Sequence, residues 1–199
     1  MNKSKKKELI KEAKYYLTNT PRNLLHGLDH AKRVWKNALT IISEEKISNI
    51  DLDILEILCY WHDVYIPELE ESSDYSKITT LTAQYLAKKF PKNQQEKIFD
   101  SINNHEFGSK PNFLEGKVLQ DADKLDVITK IRFNEAIKAI KTGDETKEGI
   151  LKIMKLVKNK WLPIFSDKLH FQYSKDYFKS IVNDYAEFLD KKIFELQKS

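Results

Sequence analysis

Trp61-His62-Asp63-Val64 is the stretch on which the organisation of this chain depends. It closes an apolar run that begins at Leu52, so an imidazole and a carboxylate are expected to be buried side by side. A buried pair of this kind is stable when its members share a proton, a structural hydrogen bond or a cation. The question for the rest of the sequence is therefore whether it supplies further metal ligands.

The composition of the 199 residues fits one globular domain in a reducing compartment. Acidic residues nearly balance basic ones, and the formal charge of +4 indicates a solvated lysine-rich surface rather than a nucleic-acid partner. Cys59 is the single cysteine, which excludes an internal disulfide. No apolar run approaches the roughly 20 residues that span a bilayer, and the first residues are too charged for a signal peptide. We therefore expect a cytoplasmic protein without a membrane partner.

Glycine and proline, five of each, stand between segments of helical periodicity, which predicts an all-α fold. One predicted helix ends at Trp61 and is capped by Asn49 or Asp51. The other predicted helices cover residues 5–17, 29–45, 79–90, 94–104, 117–140, 146–159 and 168–196. Residues 64–77 are predicted to form a loop, whose acidic segment 68–74 is either simply solvated or able to gate a neighbouring pocket.

The five histidines are the sparse residues that could bind a metal or move a proton. His26 and His30 are four residues apart, so they can share a helix face or a face and its N-terminal entry. Taken alone, that spacing also fits ordinary surface or core histidines. His105 falls at a predicted helix end, before Gly108. His170 lies in an aromatic-rich segment, where we expect a structural role.

Asp121-Ala-Asp123-Lys124-Leu-Asp126 adds three carboxylates on one predicted helix. Side chains two residues apart on a helix point about 200° away from each other, so Asp121 and Asp123 cannot both face one ion. Periodicity does not choose between them, because the apolar residues around both face inward.

The order His30, His62-Asp63, Asp123 resembles the HD superfamily of metal-dependent phosphohydrolases. His26-Gly-Leu-Asp-His30-Ala-Lys-Arg33-Val is similar to the opening motif of that family, and the 121–126 segment is similar to its closing motif. Ile102-Asn-Asn-His105-Glu-Phe resembles an element of its small stand-alone bacterial members. The resemblance covers about residues 22–135. It implies a single compact multi-helix HD-domain bundle over residues 1–199, with a helical C-terminal part at 145–197.

The resemblance also implies roles for individual residues. The implied metal ligands are His30, His62, Asp63 and Asp123. The resemblance thus selects Asp123 over Asp121. The ion would be a divalent Mn, Fe, Co, Ni, Mg or Zn, with Asp121 and Asp126 as positioning groups. The implied catalytic residues are Asp63 and His105, the latter as a proton donor to the leaving group. The implied substrate-binding residues are His26, Lys124 and Arg33.

Departures from relatives narrow the expected reaction. Only His105 lies between the His-Asp pair and Asp123, too few histidines for the di-iron oxygenases of the family. A Gly-Tyr-Pro element is missing after the pair, which disfavours cyclic-di-GMP hydrolysis. We expect hydrolysis of a phosphate ester or anhydride in a small molecule, with a nucleotide as the working hypothesis. The alternatives are a non-catalytic metal-binding regulatory module and a basic surface that contacts RNA; a homo-oligomer is left open.

Overall fold

The computed structural model describes residues 2–21, 24–69 and 75–198, and within these ranges it contains helices and no β-strand. The predicted all-α class is thus confirmed. The α-helices in chain order are α1 (Lys3–Asn19), α2 (Leu28–Glu44), α3 (Leu52–Trp61), α4 (Tyr75–Ala87), α5 (Lys92–Asn103), α6 (Leu114–Val127), α7 (Lys130–Thr142), α8 (Lys147–Leu156), α9 (Phe165–Lys168) and α10 (Gln172–Lys198). None of these described helices is long and apolar enough to cross a bilayer.

Helix α3 lies at the centre of the packing. Its N-terminus begins as predicted at Asp51, whose carboxylate accepts hydrogen bonds from the backbone N–H groups of Asp53 and Ile54. At its other end, the fully buried Trp61 donates its indole N–H to the carbonyl of Leu9, 3.0 Å away. The helix contacts α1, α2, α5 and α6, which explains why its apolar residues run almost without interruption.

The helix predicted over residues 117–140 is wrong in one respect, because it consists of two helices. Helix α6 ends at Val127, and α7 starts at Lys130 with Thr129 as its cap. The Thr129 hydroxyl donates to the carbonyl of Asp126 and accepts from the N–H of Arg132. Three consecutive β-branched residues, 127–129, weaken the helix at this point, and threonine is a good N-cap. The chain therefore turns directly after Asp126.

The predicted C-terminal boundaries are also corrected. Helix α8 passes into a π-helical turn, Val157–Trp161, and a 3₁₀ turn, Leu162–Ile164, instead of stopping at residue 159. The last long helix starts at Gln172, not at residue 168. The reason lies in Asp121, whose carboxylate accepts the N–H groups of His170 and Phe171 at 2.9–3.1 Å and so holds this segment outside a helix. Helix α4 begins at Tyr75, inside the loop predicted over 64–77.

Gly116 marks a close approach between α6 and its neighbours. A Cβ atom at this position would lie 2.8 Å from Cβ of Pro111 and 3.0 Å from Oγ of Ser101. We expect Gly116→Ala to lower the free energy of unfolding by about 1 kcal/mol or more, because overpacking outweighs the helix propensity of alanine. Urea unfolding measures this, and an unchanged or higher midpoint would show that the contact relaxes at no cost.

Candidate metal centre

Three helices bring together the four residues that the sequence singles out as metal ligands. His30 lies in the first turn of α2, His62 and Asp63 follow the end of α3, and Asp123 lies on α6. All four are at most 6% exposed. Because α2 packs against both α3 and α6, the three polar segments converge on one buried point.

The donor atoms lie at the separations that a single cation requires. Nε2 of His30 is 3.2 Å from Nε2 of His62, 3.3 Å from Oδ2 of Asp63 and 3.3 Å from Oδ1 of Asp123. Donors about 2.1 Å from one ion, at right angles or in a tetrahedron, are about 3.0 to 3.4 Å apart. Oδ1 of Asp123 is somewhat farther from Nε2 of His62, at 3.9 Å. Two buried groups could each hold an ion, His30 with His62 and Asp123, and His62 with Asp63 and His105. Their mixed nitrogen and oxygen donors are compatible with a divalent metal ion and leave positions for water or substrate oxygen.

Hydrogen bonds behind the imidazoles orient them for this role. Nδ1 of His30 lies 2.7 Å from Oδ2 of Asp126, and Nδ1 of His62 lies 3.0 Å from the carbonyl of Cys59. Both acceptors require a proton on Nδ1, which directs Nε2 of each ring towards the cluster. The buried Cys59 thiol has its pKa raised by desolvation, so it takes part in packing rather than in thiolate chemistry.

Arg33 belongs to this supporting layer. Its guanidinium donates to both carboxylate oxygens of Asp126 at 2.7 and 3.1 Å, and to both oxygens of Glu135 at 2.7 and 2.8 Å. It is not among the side chains that line the cavity of about 390 Å³ next to the cluster. The geometry therefore favours a positioning role, through Asp126 onto His30, over the predicted contact with substrate.

His105 stands at the edge of the cluster. Its Nδ1 lies 2.6 Å from the carbonyl of Ile102, which holds the proton on that nitrogen, and its Nε2 is 3.7 Å from Oδ1 of Asp63. The two oxygens of Asp63 thus face different partners, Oδ2 the two clustered imidazoles and Oδ1 the ring of His105. His105 also lines the cavity, where its Nε2 can exchange a proton.

The charges of the cluster are strongly coupled. Burial raises the pKa of Asp63 and of Asp123, but the imidazoles around both, and Lys124 beside Asp123, outweigh this and hold each pKa well below its usual value. Burial and Arg132 lower the pKa of His30, yet the carboxylates of Asp123, Asp126 and Asp63 raise it to about 10. In the metal-free protein at neutral pH, His30 therefore carries a proton in the place of a cation.

This protonation makes metal binding dependent on pH. Because His30 must lose its proton before Nε2 can bind an ion, we expect release of about one proton per ion between pH 7 and 9. The affinity for the metal ion should rise about tenfold per pH unit and level off near pH 10. Calorimetric titration in buffers of different ionisation enthalpy counts the protons, and a count of zero would contradict the prediction.

The stability of the metal-free protein should depend on pH in the opposite direction. The raised pKa stabilises the fold fully below pH 6.5, and this contribution is lost as the pH rises through 10.

A cavity of about 390 Å³ opens onto the cluster. Asp63, His105 and Asp123 line it together with two predicted substrate-binding residues, His26 and Lys124. His26 lies in the 3₁₀ turn Leu24–His26 that precedes α2, and its ring centroid is 6.1 Å from that of His30. Lys124 forms an ion pair with Asp123 at 2.5 Å. The structure thus brings two of the three predicted substrate-binding residues to the cavity.

Arg132 is a residue of this cavity that sequence reasoning missed. It lies on α7 and lines the cavity, and its buried Nη1 has no hydrogen bond, although Oε2 of Glu135 lies 3.8 Å away. A guanidinium nitrogen with only this long ion pair can still donate a hydrogen bond to an anion in the cavity. The sequence places Arg132 shortly after the closing motif, which could have indicated a place near the site. The predicted continuous helix 117–140 gave no reason to expect its side chain at the cavity.

Asp121 and His170 have structural contacts, and most of the acidic segment 68–74 is not described. Asp121 binds backbone N–H groups at the start of the last helix, and Nε2 of His170 lies 2.6 Å from Oε1 of Gln120, in agreement with structural roles for both. The acidic segment 68–74 lies mostly outside the described residues. Its described part, 68–69, belongs to the 3₁₀ turn Pro67–Leu69, so the predicted gate stays a prediction.

Comparisons with known proteins point to one family. Residues 27–128 match the family model described as HD domain. Three solved structures are similar in fold, each aligned over at least 91% of both chains. They are a Lactobacillus plantarum protein (TM-score 0.72, 19% identity), a predicted HD superfamily hydrolase from an uncultured Thermotogales bacterium (0.61, 20%) and Bacillus subtilis YpgQ (0.56, 20%). No curated protein matches the chain. At these identities the structural likeness bears on fold, and the family rests on the sequence match.

Proposed function

Because this chain belongs to the HD domain family, we propose that it is a metal-dependent phosphohydrolase that cleaves a phosphate ester or anhydride bond in a small molecule. The observation that carries this proposal is the buried cluster of two imidazoles and two carboxylates at the wall of a cavity that also contains cationic side chains. The carboxylates of Asp63 and Asp123 would balance the charge of a divalent ion. Lys124 and Arg132 would then leave the site attractive to phosphate.

The proposed reaction divides the work between the cluster and the cavity. A divalent ion held by His30, His62, Asp63 and Asp123 would supply an acidic water and polarise a phosphoryl oxygen. Lys124 and Arg132 would bind the phosphate oxygens, with His26 nearby. Water forms the new bond to phosphorus and releases a proton to solvent, and the bond to the leaving oxygen breaks. His105, with protons on both ring nitrogens, would give that oxygen the proton of Nε2, while the carbonyl of Ile102 keeps the ring oriented.

A nucleotide substrate is a finer proposal with one external point of support. Bacillus subtilis YpgQ, which is 20% identical to this chain, has also been solved in complex with ADP. Nucleotides therefore belong in any substrate panel for this protein. The uncharged part of the cavity lining instead favours an apolar substrate body.

The test is release of phosphate and pyrophosphate from nucleotides and simple phosphate esters. Metal-stripped protein is supplied in turn with Mn, Fe, Co, Ni, Mg or Zn, beside the Asp63→Ala variant. We expect metal-dependent release in the wild type and none in the variant. One tightly bound ion without release from any substrate would contradict the hydrolase and favour the metal-binding regulatory module.

Arg132 offers a prediction specific to the cavity. We expect Arg132→Met to raise KM about 10- to 100-fold, because a charged hydrogen-bonding group to phosphate is lost, while the metal content stays the same. Lys138→Met is the matched control, since it removes one exposed charge from the same helix and does not line the cavity. An unchanged KM in Arg132→Met would exclude Arg132 from phosphate binding.

A further inference from the structure

The lining of the cavity beside the cluster contains two sets of residues with different chemistry. The polar set consists of His26, Asp63, His105, Glu106, Asp123, Lys124 and Arg132. The lining residues between 133 and 189, which we call the apolar chamber, come from α7, α8, the π-helical turn and α10. Members of this lining include Phe133, Ala136, Ile150, Met154, Val157 and Leu189. None of the described chamber residues carries a charge.

An aromatic stack supports one wall of the cavity. Trp161 is stacked on Phe107, with ring centroids 5.3 Å apart and 23° between the planes. Phe107 stacks in turn on Phe165, and Phe165 on Phe178. The π-helical turn that carries Trp161 also contributes Val157 to the lining. Such turns are frequent at functional sites, where they redirect side chains. Here the turn directs apolar surface towards the chamber.

The chamber offers few hydrogen bonds to a polar ligand. The hydroxyl of Tyr185 already donates to the carbonyl of Val127, 3.0 Å away. The other side-chain polar group of the described lining from 133 to 189 is the indole N–H of Trp161. A ribose or a base edge buried here would lose hydrogen bonds to water without replacement. An aliphatic or aromatic body would instead gain free energy from burial.

The chamber is also a feature of this chain beyond the family match. The match ends at residue 128, whereas the chamber residues begin at 133. Successive parts of the sequence therefore supply the two functions. The family segment contains the cluster that would perform the chemistry, and the later residues form the surface that would select the substrate body.

We infer that the substrate is a phosphate ester or anhydride of an alcohol with an apolar body, which fills the chamber while its phosphate lies against Lys124 and Arg132. This inference rests on the proposed phosphohydrolase function. Hydrolysis breaks the bond between phosphorus and the alcohol oxygen, water supplies the new oxygen on phosphorus, and the alcohol leaves with a proton. The volume of about 390 Å³ is within the range of small-molecule sites.

The first test is a series of n-alkyl monophosphates from ethyl to octyl, with 1-naphthyl phosphate, AMP and ADP, at one metal concentration. We expect kcat/KM to rise about fourfold per methylene, equivalent to about 0.8 kcal/mol, until the chamber is full. Octyl and naphthyl phosphate should exceed both nucleotides. A flat series, or a preference for the nucleotides, would overturn the inference while leaving the hydrolase in place.

Two variants locate the effect in the chamber. Ile153→Asn should reduce the octyl-to-ethyl ratio of kcat/KM, whereas Ile164→Asn should not. Both residues are equally exposed, at 42% and 43%, but only Ile153 lines the cavity. Ala136→Leu should shift the preferred chain length to a shorter alcohol, because the added side chain occupies part of the chamber. A ratio unaffected by both Ile153→Asn and Ala136→Leu would place the alkyl chain elsewhere and overturn the inference.

A binding measurement separates this inference from the proposed function. Calorimetry with octylphosphonate and ethylphosphonate, which resist hydrolysis, requires no turnover. Tighter binding of octylphosphonate that is lost in Ile153→Asn supports the chamber, even if no phosphate ester is hydrolysed. Absence of hydrolysis would then overturn the proposed hydrolase function but not the chamber. Equal binding of the two phosphonates overturns the chamber whatever the hydrolysis assay shows.

Discussion

Asp63→Ala is expected to bring hydrolysis to background and to lower metal affinity by more than about 100-fold. Groups behind metal ligands typically contribute 10- to 100-fold, and a proposed ligand should contribute more. Oδ2 of Asp63 lies 3.2 and 3.3 Å from Nε2 of His62 and His30, so its loss opens the cluster on one side. It also removes one of the two carboxylates that would balance the charge of the ion.

The measurement combines metal analysis of the purified variant with phosphate release at saturating metal. Asp53→Ala is the control, because Asp53 lies on α3 but its carboxylate is 38% exposed and paired with Lys6. The control should keep both metal and activity. Turnover retained by Asp63→Ala would contradict the assignment of this cluster as the reaction centre.

His105→Gln is expected to lower kcat about 100- to 10,000-fold while metal content is preserved, the range typical of a lost general acid. Glutamine can still bind the carbonyl of Ile102 but cannot deliver a proton at the position of Nε2. Substrates with acidic leaving groups, such as p-nitrophenyl phosphate, should be affected least, because their oxygen leaves without a proton.

The position of His105 allows a different outcome that the same experiment detects. His62, Asp63 and His105 are close enough to hold an ion by themselves. Loss of metal in His105→Gln would therefore make His105 a ligand rather than a proton donor. His170→Gln is the control, since this histidine is bound to Gln120 and lies outside the cavity, and its kcat should change little.

Local sequence determined most of the helices, and the resemblance of three motifs to the HD family indicated the members of the cluster. Capping by Asp51, the end of α7 at Gly143 with φ of 81° and the start of α5 after Pro91 depend on neighbouring residues, so periodicity and turn chemistry predict them. His62-Asp63 was recognisable because a polar pair that ends an apolar helix needs a partner. The break between α6 and α7 was missed although its local signals, the β-branched residues 127–129 and the Thr129 cap, are present in the sequence, because they are weak beside helical periodicity.

Only the tertiary structure decided which side chains meet. Asp121 and Asp123 are equivalent by periodicity, yet Asp123 places Oδ1 3.3 Å from His30, whereas Asp121 binds the backbone of His170 and Phe171. The sequence does not distinguish the roles of Arg33 and Arg132 either. Asp126 and Glu135 accept hydrogen bonds from Arg33, whereas they lie 3.8 to 4.0 Å from Arg132, which lines the cavity. The sequence by itself determined which side chains are chemically able to bind metal or phosphate, but it did not single out Arg132 among the basic residues. Their partners depend on contacts between residues about 100 positions apart, such as Arg33 and Glu135, which only the packing of α2 against the later helices brings together.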